Sequence, residues 1–407
     1  MLSSLWGRLH PDAVRFVPFF VGLNFLNGIH VVFFAAWLAS AGFDPYATGL
    51  LFAAMNILRV FTGPLLGIAA DAFHARRLFL IGLMTVAGVC YVGYATVDGM
   101  VAIVVFSLLA SAAFSAIAAL IEGVSMSAAT ARGFDYGRVR LTGSAAFVVM
   151  NFAGGAAVAA YGIDAFLPIL IGSAALAALG GFALPRDEKP EVRAGVRSVG
   201  RDAWQLARQP LFVLMIGATG IAQASHTFYY GFGTLNWQKV GYSADLIGAL
   251  WALGVIAEII VLMYSAWIVR RVGIVNLMML GAAAGIVRWT LLALSPPLPV
   301  VLFAQILHGG TFCAVHLGMM HFMLRATPVH LVGTAQSIYF AVMIGVFFSI
   351  GQYGSGALFA SAGSYGYLLM VGFSAVALAL SYLLGRLWDG GVLPMAREAV
   401  DEARPVA

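Results

Sequence analysis

At 407 residues, 62% of them hydrophobic and only 10% charged, this chain falls far short of the roughly 25% charged residues of a soluble domain, so a water-soluble fold is excluded. The net charge of +5 gives no indication of nucleic-acid binding; its distribution orients the chain instead. Cys90 and Cys313 both lie inside apolar runs, so no disulfide framework is expected.

The polar residues form short breaks between long apolar runs, each able to cross a hydrocarbon core of about 30 Å at about 1.5 Å per residue. In chain order the predicted spans are 13–40, 45–70, 76–97, 100–128, 139–162, 164–184, 210–238, 245–269, 273–295, 298–325, 330–360 and 365–388. The expected class is an all-α membrane protein of twelve transmembrane helices. Residues 1–12 carry no cleavable signal pattern, and the first apolar run is long enough to stay as an anchor. Every Lys and Arg except Arg59, Lys239 and Arg288 falls in or beside the N-terminus, the even-numbered loops or the C-terminus, whereas Asp44, Asp98, Asp164 and Asp245 mark the odd-numbered loops. The positive-inside rule then puts both termini in the cytoplasm, and the expected home is a cell's inner (plasma) membrane. One long polar break, 185–209, reads as a solvated cytoplasmic linker whose basic residues can lie on anionic headgroups. It separates an N-terminal six-helix bundle, 1–184, from a C-terminal six-helix bundle with a short cytoplasmic tail, 210–407.

The halves repeat. GFDPYATGLLFAAMNILRV from Gly42 and GYSADLIGALWALGVIAEI from Gly241 align at an offset of 199, which sets Gly49 on Gly248 and Arg59 on Glu258. SLLASAAFSA from Ser107 and QILHGGTFCA from Gln305 align more weakly, at an offset of 198. A parallel repeat of six spans is the plan of the major facilitator fold, in which substrate binds between the halves near the midplane.

Between spans two and three, GPLLGIAADAFHARR (Gly63 to Arg77) resembles the cytoplasmic signature loop of the major facilitator superfamily. The resemblance implies a gate in which Asp71 pairs with Arg76 or Arg77, although Ala72 replaces the usual first arginine after the acid. Arg270 and Arg271 hold the corresponding place in the second half. Glu122 and Arg140, on antiparallel neighbours with a short connection, can lie at similar depth and lower each other's desolvation cost.

Four segments in colinear order resemble the phenylpropionate permease family, a relative of lactose permease. They are Tyr136-Gly-Arg-Val-Arg140, Ser225 to Ile259, Val287-Arg-Trp289 and Gln305 to Phe322. The resemblance implies a proton-coupled symporter for a small organic solute, with Arg140 and Glu122 at the substrate and Arg288 and His308 in the proton-coupling cluster. Three positions depart from lactose permease. Phe147 stands where it stacks a tryptophan; its acid in span eight falls at Val255, with Glu258 about one turn further on; and its acid three residues beyond the histidine is Thr311. These departures count against sugar recognition, and the proton site must be partly rebuilt.

An ionised group at bilayer depth is costly and marks function by default. Glu258, Arg288 and His308, from spans eight, nine and ten, are expected to meet in one polar cavity, where desolvation and a neighbouring arginine act in opposite directions on the acid. Proton coupling is assigned to Glu258, His308, Arg288 and, as an alternative carrier, Glu122. Substrate contact is assigned to Arg140, Arg288, Glu122, Phe147, Tyr229 and Asn24, since an aromatic ligand would stack on the aromatic faces of spans one and seven and place its carboxylate on an arginine. Gating is assigned to Asp71, Arg76, Arg77 and Arg59; by repeat position Arg59 is expected to approach Glu258.

The expectation is a monomeric major facilitator transporter importing a small aromatic carboxylate such as 3-phenylpropionate with protons, resident in the lipid bilayer, without cofactor, metal or nucleic acid. A sugar or nucleoside symporter and an exporter of the same fold are the alternatives, with a substrate-sensing receptor more distant. No HExxH pair, Gly-x-Ser-x-Gly elbow or nucleotide-binding loop occurs, so no enzymatic activity is expected.

Overall fold

Lipid offers no partner to a backbone N–H or C=O, so a chain this apolar satisfies its main chain within helices. The computed structural model describes residues 10–185 and 203–393. Most of the 185–209 linker and both termini lie outside the described residues. A short helix, Pro11–Val14, precedes α1 (Val17–Ser40), α2 (Pro45–Ala72), α3 (Arg76–Thr96), α4 (Met100–Phe114 and Ile117–Arg132), α5 (Tyr136–Tyr161) and α6 (Phe166–Gly181). The second half holds α7 (Pro210–Ala224 and Thr227–Val240), α8 (Ala244–Met263, extended by Ser265–Val272), α9 (Ile274–Ala293), α10, α11 and α12 (Tyr367–Leu387). α10 is Leu298–His308, a π turn over Gly309–Ala314, and Val315–Ala326; α11 is Val332–Val342, a π turn over Met343–Phe348, and Ser349–Ala362.

Among the described residues, eleven continuous helical runs are long and apolar enough to cross a membrane. The last, Val329–Leu387, has 59 residues, far beyond the ~20 a bilayer needs. A 3₁₀ turn at Gly363–Gly366, with Gly363 at φ +56°, divides it into α11 and α12. Twelve spans result, with ends within a few residues of those predicted.

The repeat is visible in the backbone. α1 ends at Gly42 (φ +90°) with Phe43 N–H donating to Leu38 O at 2.9 Å; α7 ends at Gly241 (φ +93°) with Tyr242 N–H donating to Trp237 O at 3.0 Å. Both are helix caps in which only glycine takes the left-handed residue without strain, and they lie 199 residues apart, as the sequence alignment requires.

Contacts divide the chain into two compact units that do not follow the linker alone. The first comprises residues 1–191 together with 229–253 and 352–361; the second comprises 192–228, 254–351 and 362–407. Part of α7, the first half of α8 and the end of α11 thus belong to the first unit. Within it the glycines at the repeat positions are close-contact points. A Cβ on Gly49 would lie 2.7 Å from Gln352 O and 2.9 Å from Gly356 Cα, and one on Gly248 would run into the Asn151 carbonyl, with Gly155 Cα at 3.1 Å. Small residues allow helix backbones to approach this far. Thr234 Oγ1 donates to Val32 O at 2.6 Å and accepts from Trp251 Nε1 at 3.2 Å, tying α7 to α1 and α8.

Gly248→Ala should therefore destabilise the protein by about 1–3 kcal/mol, the usual cost of overpacking. Gly172→Ala, where nothing lies within 4 Å of the added carbon, should not. Melting curves of the two purified variants check this; equal melting would show that the α5–α8 contact yields without cost.

Candidate functional site

Helix–helix proximity decides which ionisable groups can meet in the second unit. α8 and α10 approach through Gly254 and Gly309. A Cβ on Gly254 would sit 3.2 Å from His308 Cδ2, and one on Gly309 would lie 2.8 Å from Ala257 O. Glu258 is one turn after Gly254, so the same α8 face that accommodates His308 also carries the acid. α9 meets α10 along Gly281, Ala284 and Arg288, a stripe at helical spacing; Ala284 Cβ would lie 3.9 Å from a Cβ on Gly310. The π turn of α10 holds Thr311 in this contact, in keeping with the frequent use of such turns at functional positions.

Glu258, His308 and Arg288 are accordingly brought together. His308 Nε2 lies 2.7 Å from Glu258 Oε1, and Arg288 Nη1 lies 2.7 Å from His308 Nδ1. A guanidinium can only donate, so Nδ1 accepts and the ring proton resides on Nε2, directed at the carboxylate. Arg288 also donates to Thr311 Oγ1 at 3.2 Å and to Gln305 Oε1 at 3.0 Å, and it packs over the Trp289 ring at 4.4 Å. Arg288 is 0% exposed and so has no surface to offer a ligand, whereas the Glu258 side chain keeps 19%. The acid is the member of the chain that reaches open space.

The network extends to α7. His226, fully buried at the break of α7, places Nδ1 3.0 Å from Gln223 O and Nε2 3.1 Å from Thr311 Oγ1. The carbonyl can only accept, so Nδ1 donates and Nε2 is free to accept from the Thr311 hydroxyl. Trp289 Nε1 donates to Ser225 Oγ at 3.1 Å on the same break. The polar run Gln223, Ser225, His226, Thr227 inside an apolar span was the available signal.

In the first unit Arg140 Nε meets Glu122 Oε1 at 2.8 Å, with side chains 45% and 33% exposed. Asn24 donates to Phe20 O at 2.8 Å and presses on Gly143. Gly143 lies between Arg140 and Phe147 on one face of α5, so Asn24, Arg140 and the half-buried Phe147 line one strip. Tyr229 belongs elsewhere. Its ring stacks on Trp251 at 4.2 Å, lies edge-on to Trp237 at 5.9 Å and is 1% exposed, so it serves packing rather than an open binding face. Arg76 pairs with Asp71, and Arg77 donates to Gly181 O at 3.3 Å and Phe182 O at 2.6 Å, fastening α3 to the end of α6. Arg59 donates to Ser111 Oγ at 2.8 Å, within its own bundle.

A model of the MFS_1 like family matches residues 25–369. The chain is 32% identical over 328 residues to the probable 3-phenylpropionic acid transporter of Escherichia coli (strain K12), covering 79% of this chain and 84% of that protein. It is 28% identical to the maltose permease of Geobacillus stearothermophilus, covering 73% and 74% respectively. The crystal structure of the nucleoside transporter NupG superimposes with a TM-score of 0.79 at 18% identity, over 93% of this chain and 100% of that one; at that identity the likeness shows the fold, the major facilitator fold.

The hydrogen-bond directions predict that ¹⁵N NMR of histidine-labelled protein will show His308 protonated at Nε2 and bare at Nδ1. The opposite tautomer would mean that Arg288 does not hold the ring.

Proposed function

This chain belongs to the MFS_1 like family, and on that premise we propose that it is a symporter, importing a small aromatic carboxylate of the size of 3-phenylpropionate together with protons. It is a multi-pass membrane transporter and not an enzyme. The proposed setting is the inner membrane, with both termini cytoplasmic and the monomer as the working unit; the N-terminal bundle 1–184, linker 185–209 and C-terminal bundle 210–407 are its proposed divisions.

The observation that carries the proposal is the linear arrangement of Arg288, His308 and Glu258. With Nδ1 occupied by Arg288, His308 donates from Nε2 to one carboxylate oxygen, and an incoming proton settles on the other oxygen of Glu258. The unloaded cluster balances one positive charge against one negative. Loading leaves the Arg288 charge uncompensated in a buried site, where an unpaired ion is expensive. Uptake of an anion together with the proton leaves the net charge of the loaded protein unchanged, which is the electrostatic rationale for symport of a carboxylate. Arg140 is the proposed carboxylate holder, because its guanidinium is half exposed and can bind bidentately. Glu122, its ion-pair partner, would compete with the carboxylate for it and is the alternative proton carrier; Phe147 and Asn24 flank it. Asp71, Arg76 and Arg77, with Arg59, are the proposed gating residues.

The second reading, a sugar or nucleoside symporter, draws on the named substrates of the maltose and nucleoside relatives and on Glu122, whose carboxylate can hold hydroxyls.

Labelled 3-phenylpropionate should accumulate in proteoliposomes only under an inward proton gradient, with lactose and a nucleoside failing to compete. Competition by either would transfer the assignment to the second reading. Glu258→Gln should abolish accumulation while leaving counterflow exchange within about twofold. Arg140→Lys, which loses the bidentate fork, should weaken apparent affinity about tenfold. Accumulation by Glu258→Gln at the unaltered level would remove Glu258 as the carrier.

A further inference from the structure

Away from the transport cluster, the second unit contains a basic cavity of about 570 Å³ lined by Val269, Arg270, Gly273, Ile274, His321, Leu324 and Arg325. It lies where three elements end together: the α8 extension Ser265–Val272, the start of α9 and the last turn of α10. Among the described residues Arg270, His321 and Arg325 form no ion pair, and no acidic residue lines the cavity. The contrast with the first half is informative. There the corresponding loop places Asp71 on Arg76, so the charge is neutralised in place. Here the offset of 199 sets Arg270 where the first half has Asp71, so the end of the eighth span carries arginines and no acid.

The surroundings indicate what would neutralise these charges. Leu324, in the cavity lining, is well exposed, as are Tyr264 and Trp267, six and three residues before Arg270 in the sequence. In a membrane-spanning chain, exposed aromatic and aliphatic side chains next to arginines at the ends of spans are found at the headgroup level, with the apolar surface against acyl chains. Basic pockets between transmembrane helices on the cytoplasmic side suit anionic lipid headgroups. Two guanidiniums can grip a phosphodiester through paired N–H donors. A free phosphate would satisfy the arginines but leave the apolar rim unused.

We propose that the cavity bounded by Arg270, His321 and Arg325 is a binding site for the phosphate headgroup of an anionic phospholipid, with Leu324 and the Trp267 side of the α8 extension against its acyl chains. The site stands apart from the proton cluster, and the proposal does not depend on which solute is transported.

Native mass spectrometry of the purified full chain, titrated with phosphatidylglycerol or phosphatidylcholine of identical acyl chains, tests it. Retention of phosphatidylglycerol should exceed that of phosphatidylcholine. The double variant Arg270→Gln/Arg325→Gln should weaken phosphatidylglycerol retention about tenfold or more, while Arg138→Gln, which removes a charge elsewhere, should leave it unchanged. Melting curves confirm that the variants are folded. Equal retention of the two lipids, or phosphatidylglycerol retention unaffected by the double variant, would overturn the proposal. Displacement of the lipid by millimolar inorganic phosphate would also overturn it, by identifying a site for the free anion.

Discussion

A guanidinium without exposed surface must have its charge and its donors answered by neighbours, since the cost of leaving them unanswered in a buried site is several kcal/mol. The second unit is arranged around that requirement for Arg288. His308, Gln305 and Thr311 on α10 supply acceptors, Trp289 supplies a ring face, and Glu258 on α8 supplies the opposite charge through His308. Each acceptor is itself constrained: Thr311 by His226, His226 by the Gln223 carbonyl, and His308 by Glu258. Four helices are thereby registered on one side chain. The same constraint explains the glycines. An α8–α10 contact with alanine at Gly309 would push against the Ala257 backbone and draw the acid away from the imidazole, and one at Gly254 would crowd the His308 ring.

How much of this was legible beforehand depends on the range of the interaction. The twelve spans were legible because hydropathy and length alone decide them in lipid. The repeat was legible because a left-handed glycine cap leaves a short fixed pattern, and Gly42 and Gly241 adopt nearly the same φ. The meeting of Glu258, Arg288 and His308 followed from charge in apolar surroundings. The orientation of the chain of hydrogen bonds did not, because it depends on the rotation of α9 and α10, and periodicity alone cannot distinguish the neighbouring faces. Tyr229 is the instructive case. An aromatic-rich face suits ligand stacking and protein packing equally, and the Trp251 ring that covers it comes from α8, 22 residues away in sequence.

Arg59 shows how little repeat position says about local partners. Within its own bundle its guanidinium donates to Ser111, on the α4 helix. Internal symmetry preserves backbone features such as the caps at Gly42 and Gly241 more faithfully than the roles of the side chains built on them.

The π turn at Gly309–Ala314 has a consequence for tracing descent among such proteins. A turn of this kind holds one residue more than an α-turn, so α10 has two rotational phases. At its start His308 and Gly309 pack on α8, while His308 also reaches Arg288 of α9; after it, Val315 and Gly318 pack on α9, where a Cβ on Gly318 would lie 2.9 Å from Ile274 O. A relative with a regular α-helix here would keep the first phase and lose the second, or the reverse. Residue-by-residue correspondence through this helix therefore holds on only one side of the turn. A role lost at one position in a relative should be sought one residue away before it is counted as absent.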